Sequence, residues 1–297
     1  MSPYDQLIDR LRQGAQIVID GATGTEVERR GVPQLPNAWN GGGALSHPDI
    51  VRQIHEDYIL SGAEIIISNT FATTRHALRD AGEEDRFEAY NRRGVELAIE
   101  ARARLDRPDV LVAGGISHWS WTGKDPSLAD LGQGATEQAA IMAAAGADFL
   151  MLEMMIEIDR MLVTLEAAQR SGLPVWVGLS CERRDGGIAL LGGAPLADAL
   201  KALEGRDVPL INIMHTDVRD VDACLDVVES HWTGLTGVYA HTGDIIDFKW
   251  VFDDMISPED YAAHSRRWLG RGISVIGGCC GIRPDHIAML SGQRTGV

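Results

Sequence analysis

Two adjacent cysteines near the carboxyl terminus are the residues of this sequence best suited to chemistry. The stretch VIGGCCGIRPDH, residues 275–286, sets Cys279 and Cys280 side by side after two glycines. Consecutive side chains on a regular strand point to opposite faces, but glycine lets the backbone turn, so both sulfurs could reach one ion. Thiolates bind soft or borderline metals, most often zinc in such sites. The pair predicts a zinc site, with two buried apolar cysteines as the alternative.

Titratable and metal-binding residues also stand at the ends of other apolar runs of the chain. The carboxyl ends of parallel barrel strands meet at one face, which is where such folds carry out chemistry. Residues from distant parts of the sequence could therefore share one site. The residues at these ends are Asp20, Asn69, Thr70, Ser117, His118, Glu153, Cys181, His215, His241, Cys279 and Cys280.

The apolar runs have the character of strands buried on both faces, because they are nearly continuous rather than alternating. Helical patterns separate most of them; in the segment 47–62, for example, Ser46 is expected to cap a helix that ends at Gly62. This order predicts a single (β/α)8 TIM barrel over residues 1–297, with a doubly wound open sheet as the second choice. The runs are residues 16–21, 63–71, 110–117, 147–155, 174–181, 208–215, 235–242 and 273–280.

Composition and charge exclude several classes of function. The net charge of −16 argues against binding to nucleic acid or to an anionic membrane surface. The four cysteines do not form a disulfide framework, and neither a signal peptide nor a membrane-spanning run is apparent. We expect a cytoplasmic protein with reduced thiols, and the sequence leaves a homo-oligomer open.

In four stretches, GGCCG followed by PDHI and residues 19–31, 47–71 and 148–155, the sequence resembles the zinc-dependent homocysteine S-methyltransferase family. That family includes the betaine– and S-methylmethionine–homocysteine methyltransferases and the homocysteine-binding barrel of cobalamin methionine synthase. The stretch GGCCG followed by PDHI is similar to its closing signature. Residues 19–31, 47–71 and 148–155 resemble its first strand and turn, its second unit and its fourth strand. The resemblance implies a (β/α)8 barrel and methionine formation from homocysteine.

The resemblance also implies a set of site residues. In the family three cysteines bind zinc, and the thiol of homocysteine takes the fourth position, where it reacts as a thiolate. Two of those cysteines map onto Cys279 and Cys280. The amino-acid end of homocysteine would bind to the acidic side chains at the ends of the first and fourth strands. It would also contact the first turn and the loop after strand two. These positions are Asp20, Gly21, Ala22, Asn69, Thr70 and Glu153.

The third zinc cysteine of the family has no counterpart in this chain. A gapless alignment of strand six puts His215 in its place, and imidazole is a good zinc ligand. Cys181, at the end of the neighbouring fifth strand, is the competing third ligand. We expect His215 in this role, which would give a site of two cysteines and one histidine.

The methyl donor is expected to be a small onium compound, similar to S-methylmethionine or betaine. His118, Trp119, Trp121 and His241 gather near the predicted pocket mouth, where tryptophan rings could bind a cation. Three alternatives stay open: a zinc methyltransferase with a different thiol or carrier acceptor, a metal-dependent hydrolase built on His118, His215 and His241, and a barrel that binds a ligand without catalysis.

Overall fold

The computed structural model describes residues 2–246, 249–251 and 255–292. Eight of its strands form one sheet, and four short strands form two hairpins, β6 with β7 and β10 with β11. In chain order the strands are β1 (Ile17–Val18), β2 (Ile65–Ile67), β3 (Leu111–Ile116), β4 (Phe149–Met155), β5 (Val175–Leu179), β6 (Cys181–Arg184), β7 (Gly187–Leu190), β8 (Leu210–Asp217), β9 (Leu235–His241), β10 (Asp244–Ile246), β11 (Lys249–Val251) and β12 (Val275–Gly278).

The large sheet closes on itself. Its order is β1-β12-β9-β8-β5-β4-β3-β2, and a parallel bridge between Ile19 and Ile65 joins the first and last strands. Every pairing in it is parallel, so each strand needs a crossover connection to the next. The predicted (β/α)8 barrel is confirmed, and the doubly wound open sheet is wrong because the sheet has no free edge.

The crossover connections are helical. Within the described ranges, none of the helices has both the length and the apolar character that a membrane span requires. Short 3₁₀ turns occupy residues 39–42 and 84–86. The helices are α1 (Pro3–Arg12), α2 (Thr23–Arg29), α3 (Gly43–Ser46), α4 (Pro48–Leu60), α5 (Arg75–Asp80), α6 (Phe87–Arg104), α7 (Leu128–Ala145), α8 (Ile158–Gln169), α9 (Leu196–Leu203), α10 (Val221–His231), α11 (Pro258–Gly270) and α12 (Pro284–Ser291).

The start of α4 differs from the sequence prediction. Ser46 ends the short helix α3, and its hydroxyl donates a hydrogen bond to the carbonyl of Gly42 at 3.0 Å. His47 occupies the N-cap position of α4, and its side chain makes no capping hydrogen bond to the helix. The predicted cap is wrong, because the preceding turn already uses the serine hydroxyl. The predicted end is correct: Gly62, in the left-handed region with φ of 99°, follows the helix.

Aromatic packing seals the amino-terminal mouth of the barrel. Tyr4 of α1 accepts a hydrogen bond from the indole nitrogen of Trp176 at 2.9 Å. The rings of Phe149 and Trp176 pack inside the barrel with centroids 4.6 Å apart. Interior side chains therefore fill the lower barrel, and the carboxyl ends of the strands face the open end.

Candidate active site

A cavity with about 810 Å³ of empty space, part of it open to solvent, lies at the carboxyl ends of the barrel strands. Its walls come from the turn after β1, the loops after β2 and β3, and the ends of β4, β8, β9 and β12. Residues 278–280, His215 and Glu153 are among the residues that line it. The cavity thus lies where barrel enzymes place their chemistry.

His215, Cys279 and Cys280 form a compact group at this cavity. One ligand atom from each lies within 4.8 Å of the other two. The His215 Nδ1 atom is 3.4 Å from the Cys279 sulfur, which is 3.9 Å from the Cys280 sulfur. The neighbouring Cys280 thiol and burial together raise the pKa of Cys279 well above its usual range. The structure therefore brings together the three side chains that the sequence predicts as metal ligands.

The cysteine pair converges because the chain turns as β12 ends. The Cys279 N–H donates to the carbonyl of Ala240 at 2.8 Å, and the Cys280 carbonyl accepts from the N–H of Thr242 at 3.0 Å. Gly281 follows with φ of 83°, where a Cβ atom would lie 2.8 Å from the Thr242 carbonyl oxygen. Only glycine fits this turn, which directs both sulfurs to the same side.

Irregular backbone aims His215 at the cavity. The pairing of β8 with β9 shifts register between Met214 and Asp217, and His215 lies within the shift with φ of 42°. A similar shift in β4 includes Met154, with φ of 56°. Left-handed backbone costs a non-glycine residue about 1–3 kcal/mol and concentrates at functional sites. A bulge re-aims a side chain that a regular strand would point elsewhere.

Two acidic side chains are buried near the carboxyl ends of β1 and β4: Glu153 lines the cavity, whereas Asp20 is not among the residues that line it. The Asp20 carboxylate accepts a hydrogen bond from the N–H of Ile67 at 2.7 Å, yet burial raises its pKa well above the usual range. Burial raises the pKa of Glu153 to about 8. Gly115 of β3 makes room for Glu153, because a Cβ atom there would lie 2.5 Å from its Oε2 atom. Both carboxyl groups would ionise readily only beside a cation.

Comparison with known proteins identifies the family. The model of the family described as homocysteine S-methyltransferase matches residues 17–293. The chain belongs to the homocysteine S-methyltransferase family. Homocysteine S-methyltransferase YbgG of Bacillus subtilis is 25% identical over 317 residues, covering 98% of this chain and 97% of the relative. Selenocysteine Se-methyltransferase of Brassica oleracea var. italica is 24% identical, covering 93% of this chain and 88% of the relative.

A solved structure supports the same fold for this homocysteine S-methyltransferase family member. The metallated form of the homocysteine methyltransferase MmuM from Escherichia coli matches with a TM-score of 0.81 and 23% identity. The match covers 98% of this chain and 100% of that chain. The predicted family, the barrel fold and a methyltransferase activity are confirmed.

Cys181, the competing third ligand, lies elsewhere in this family member. Its thiol adjoins that of Cys224 in α10, and this contact together with burial raises the pKa of Cys181 well above its usual range. The Cys181 N–H donates to the hydroxyl of Thr216 at 3.0 Å. Cys181 therefore packs in the core behind β8 and does not join the group around His215 in the described structure.

The remaining residues expected at the amino-acid end divide into two groups. Gly21, Ala22 and Asn69 line the cavity. The Asn69 side chain also donates to the carbonyl of Asn40 at 3.2 Å. Thr70 is fully buried and donates to the carbonyl of Gly115 at 2.8 Å, so it braces the loop after β2 and does not line the cavity.

The four residues expected near the methyl donor also fall into two groups, because the two tryptophans line the cavity and the two histidines do not. Trp119 and Trp121 line the cavity, and the ring of Trp121 meets that of Phe71 edge-on. The His118 ring accepts from the N–H of Ile156 at 3.3 Å, and burial lowers its pKa to about 4. His118 therefore supports the start of α8 as a neutral ring.

The fourth of them, His241, adjoins the metal-ligand group. Its ring packs against that of His215 with centroids 4.7 Å apart, and burial lowers its pKa to about 3. The alternative hydrolase site is not supported, because of the three predicted histidines only His215 belongs to the compact metal-binding group among the described residues.

Sequence reasoning missed several side chains of the cavity, among them Trp39, Asn40 and Tyr239. Trp39 and Asn40 occupy an irregular loop without periodicity, and Tyr239 resembles any apolar strand residue. The Asn40 Nδ2 atom and the Tyr239 hydroxyl are buried without a hydrogen-bond partner in the described structure, as is the Thr23 hydroxyl. Buried polar atoms are normally paired, so these three indicate a polar ligand.

Proposed function

We propose that this protein transfers a methyl group from a small onium donor to the zinc-activated thiol of homocysteine, giving methionine. The observation that carries the proposal is the cavity-facing group of His215, Cys279 and Cys280. The proposed reaction requires a metal, an α-amino-acid acceptor and a cationic donor. A separate part of the cavity suits each of these three.

The three side chains fit zinc in chemistry and in spacing. Around a tetrahedral zinc, sulfur ligands lie about 3.8 Å apart, and sulfur and nitrogen ligands lie about 3.6 Å apart. The observed separations of 3.9 Å between the sulfurs and 3.4 Å between Cys279 and His215 agree with this. The bound ion would stabilise thiolates, including that of an acceptor in its fourth position.

The acidic pair fits the amino group of the acceptor. An ammonium beside Glu153 would let this carboxyl group ionise, and the nearby Asp20 would ionise as well only if the same cation reached it. The unpaired Asn40 amide nitrogen supplies a donor for the acceptor carboxylate. Gly21, Ala22 and Asn69 would complete this end of the site.

The donor side of the cavity is aromatic and has no cation. Trp39, Trp119 and Trp121 line it, and the described lining residues include no lysine or arginine. Such walls attract an onium group through cation–π contact. They offer no ionic partner to a donor carboxylate, which favours a donor with net positive charge. S-methylmethionine carries a net positive charge and betaine does not, so the former is the preferred donor.

The transfer itself is an in-line displacement. The acceptor sulfur donates an electron pair to the methyl carbon, the carbon–sulfur bond of the donor breaks, and its electron pair stays on the donor sulfur. The residues of the chain contribute alignment, because they fix the acceptor at its ammonium and its sulfur while the aromatic wall holds the donor.

A second acceptor is favoured by one comparison. Relatives named selenocysteine methyltransferases match over most of this chain at 24% and 26% identity, as closely as the homocysteine enzymes do. A selenol could occupy the same position as the thiol, with its ammonium at the same acidic pair. Parallel assays with homocysteine and selenocysteine would rank the two acceptors.

Two further parts of the proposal concern the whole chain. Strands and helices alternate through the described residues, which supports a single domain over residues 1–297. All four cysteines are free, which supports a reducing compartment such as the cytoplasm.

Metal analysis and X-ray absorption on the purified protein test the proposal. We expect about one zinc bound by two sulfurs and one nitrogen, with one more sulfur after homocysteine is added. His215→Ala should lose the nitrogen and much of the zinc, whereas the matched control Cys181→Ala should keep both. Methyl transfer from S-methylmethionine to homocysteine should be lost with the zinc. A protein without zinc, or with a third sulfur from Cys181, would refute the assignment.

A further inference from the structure

The carboxyl end of β9 connects the two segments that bear the proposed metal ligands. On one side, the Ala240 carbonyl and the Thr242 N–H bond to Cys279 and Cys280, at 2.8 Å and 3.0 Å. On the other side, β9 pairs with β8, the strand that contains His215. The residue between Ala240 and Thr242 is His241. Its backbone is therefore held in place by both ligand-bearing segments.

The side chain of His241 lies against His215. The two imidazole rings are tilted by 45° with centroids 4.7 Å apart. The His241 ring also forms a hydrogen bond with the backbone of His215. One side chain thus contacts both the ring and the main chain of the proposed ligand.

The backbone of His215 needs such support. Its φ of 42° lies in the left-handed region, inside the register shift of β8. A non-glycine residue keeps this conformation only when its surroundings enforce it. If the backbone relaxed toward ordinary strand geometry, the side chain would turn and Nδ1 would leave the Cys279 sulfur, from which it is now 3.4 Å.

We propose that His241 is a positioning residue, which holds His215 in the rotamer and backbone conformation that present Nδ1 to the metal. The inference rests on the proposed function, because it takes His215 as a ligand. Residues that orient a metal-binding histidine typically contribute about 10- to 100-fold to metal affinity. His241 acts from outside the metal shell, since the compact group among the described residues comprises only His215 and the two cysteines.

The test measures zinc affinity by chelator competition, together with the visible spectrum of the cobalt(II)-substituted protein. His241→Ala removes the ring and the hydrogen bond, His241→Phe keeps a ring, and His241→Asn keeps a hydrogen-bonding group. The control is His264→Ala, which removes a histidine packed against Trp268 in α11, away from the site. Thermal unfolding of each metal-free variant reports the fold separately from the site.

We expect His241→Ala to weaken zinc binding by about 10-fold or more and to shift the cobalt d–d bands. His241→Phe and His241→Asn should each recover part of the loss, and His264→Ala should bind zinc as the wild type does. Wild-type affinity and spectrum in His241→Ala would overturn the inference. An equal loss in all three variants, matched by a lower melting temperature, would also overturn it. If the wild type itself bound no zinc, the proposed function would fail instead.

Discussion

Glu153 is the group whose burial should give the protein an unusual dependence on pH. Its side chain lies in the cavity, and burial raises its pKa from 4.5 to about 8. The perturbation is Glu153→Gln, which keeps the shape of the side chain and removes its titration. In the metal-free protein without ligands, this change isolates the effect of one proton.

The magnitude follows from the two pKa values. Between pH 4.5 and 8 the unfolded chain has released this proton, whereas the folded chain still holds it. The folded state therefore binds more protons, so the free energy of unfolding falls as pH rises, by about 1.4 kcal/mol per pH unit. Over the whole interval the loss is about 5 kcal/mol. The stabilisation is complete below pH 4.5 and is lost above pH 8.

The assay is urea unfolding of the wild type and of Glu153→Gln at pH 5, 6, 7 and 8. The effect is the difference between their two curves of unfolding free energy against pH. Groups that do not interact with Glu153 titrate equally in both proteins and cancel, whereas Asp20, whose pKa the charge of Glu153 helps to raise, contributes to the difference. We expect the wild type to lose stability relative to the variant with each step up in pH. Saturating methionine should flatten the difference, because its ammonium group would favour the ionised carboxylate. Parallel curves without ligand would refute the claim that burial keeps Glu153 protonated.

Further expectations concern the same cavity. Methionine, which has no titratable thiol, should bind the wild type more tightly as pH rises from 6 to 8, and calorimetry should find no such rise with Glu153→Gln. Tyr239→Phe removes an unpaired buried hydroxyl, so the ligand-free protein should gain about 1 kcal/mol in urea unfolding while acceptor binding weakens. Gly115→Ala would push against Glu153 and should lower turnover by about 100-fold, whereas Gly186→Ala, with open space around it, should not.

The fold could be predicted from the sequence because its physical signal is strong and repeated. Strands buried on both faces must be apolar throughout, and eight such runs separated by helical patterns are compatible with few architectures. The local detail at Ser46 was not predictable in the same way. A cap depends on whether the hydroxyl is still available, and the short helix α3 before it had already bonded that hydroxyl to Gly42.

Positions in the candidate site could be predicted where the residue type itself suggests chemistry, and the roles of those residues stay predictions. Cysteines, histidines and carboxylates at strand ends are few, and the barrel brings such ends together. Trp39 and Asn40 were missed because their loop has no periodic pattern, so only the fold brings them to the cavity. The left-handed backbone of His215 was equally inaccessible, since it follows from a register shift between two strands.

The charge state of the cavity suits a reaction in which a cation and an anion become neutral products. Without ligands, burial keeps the Glu153 carboxyl group protonated, and the neighbouring Cys280 thiol together with burial keeps the Cys279 thiol protonated, so these two groups are neutral at pH 7. Each proposed ligand brings positive charge to one of them: a metal to the thiols and an ammonium to the carboxyl group. The proposed transfer then converts an onium donor and a thiolate into two neutral thioethers. A low-dielectric, aromatic-walled site strengthens the attraction between those two charged reactants. It also solvates either charge poorly, so the cavity favours the neutral products over the charged reactants.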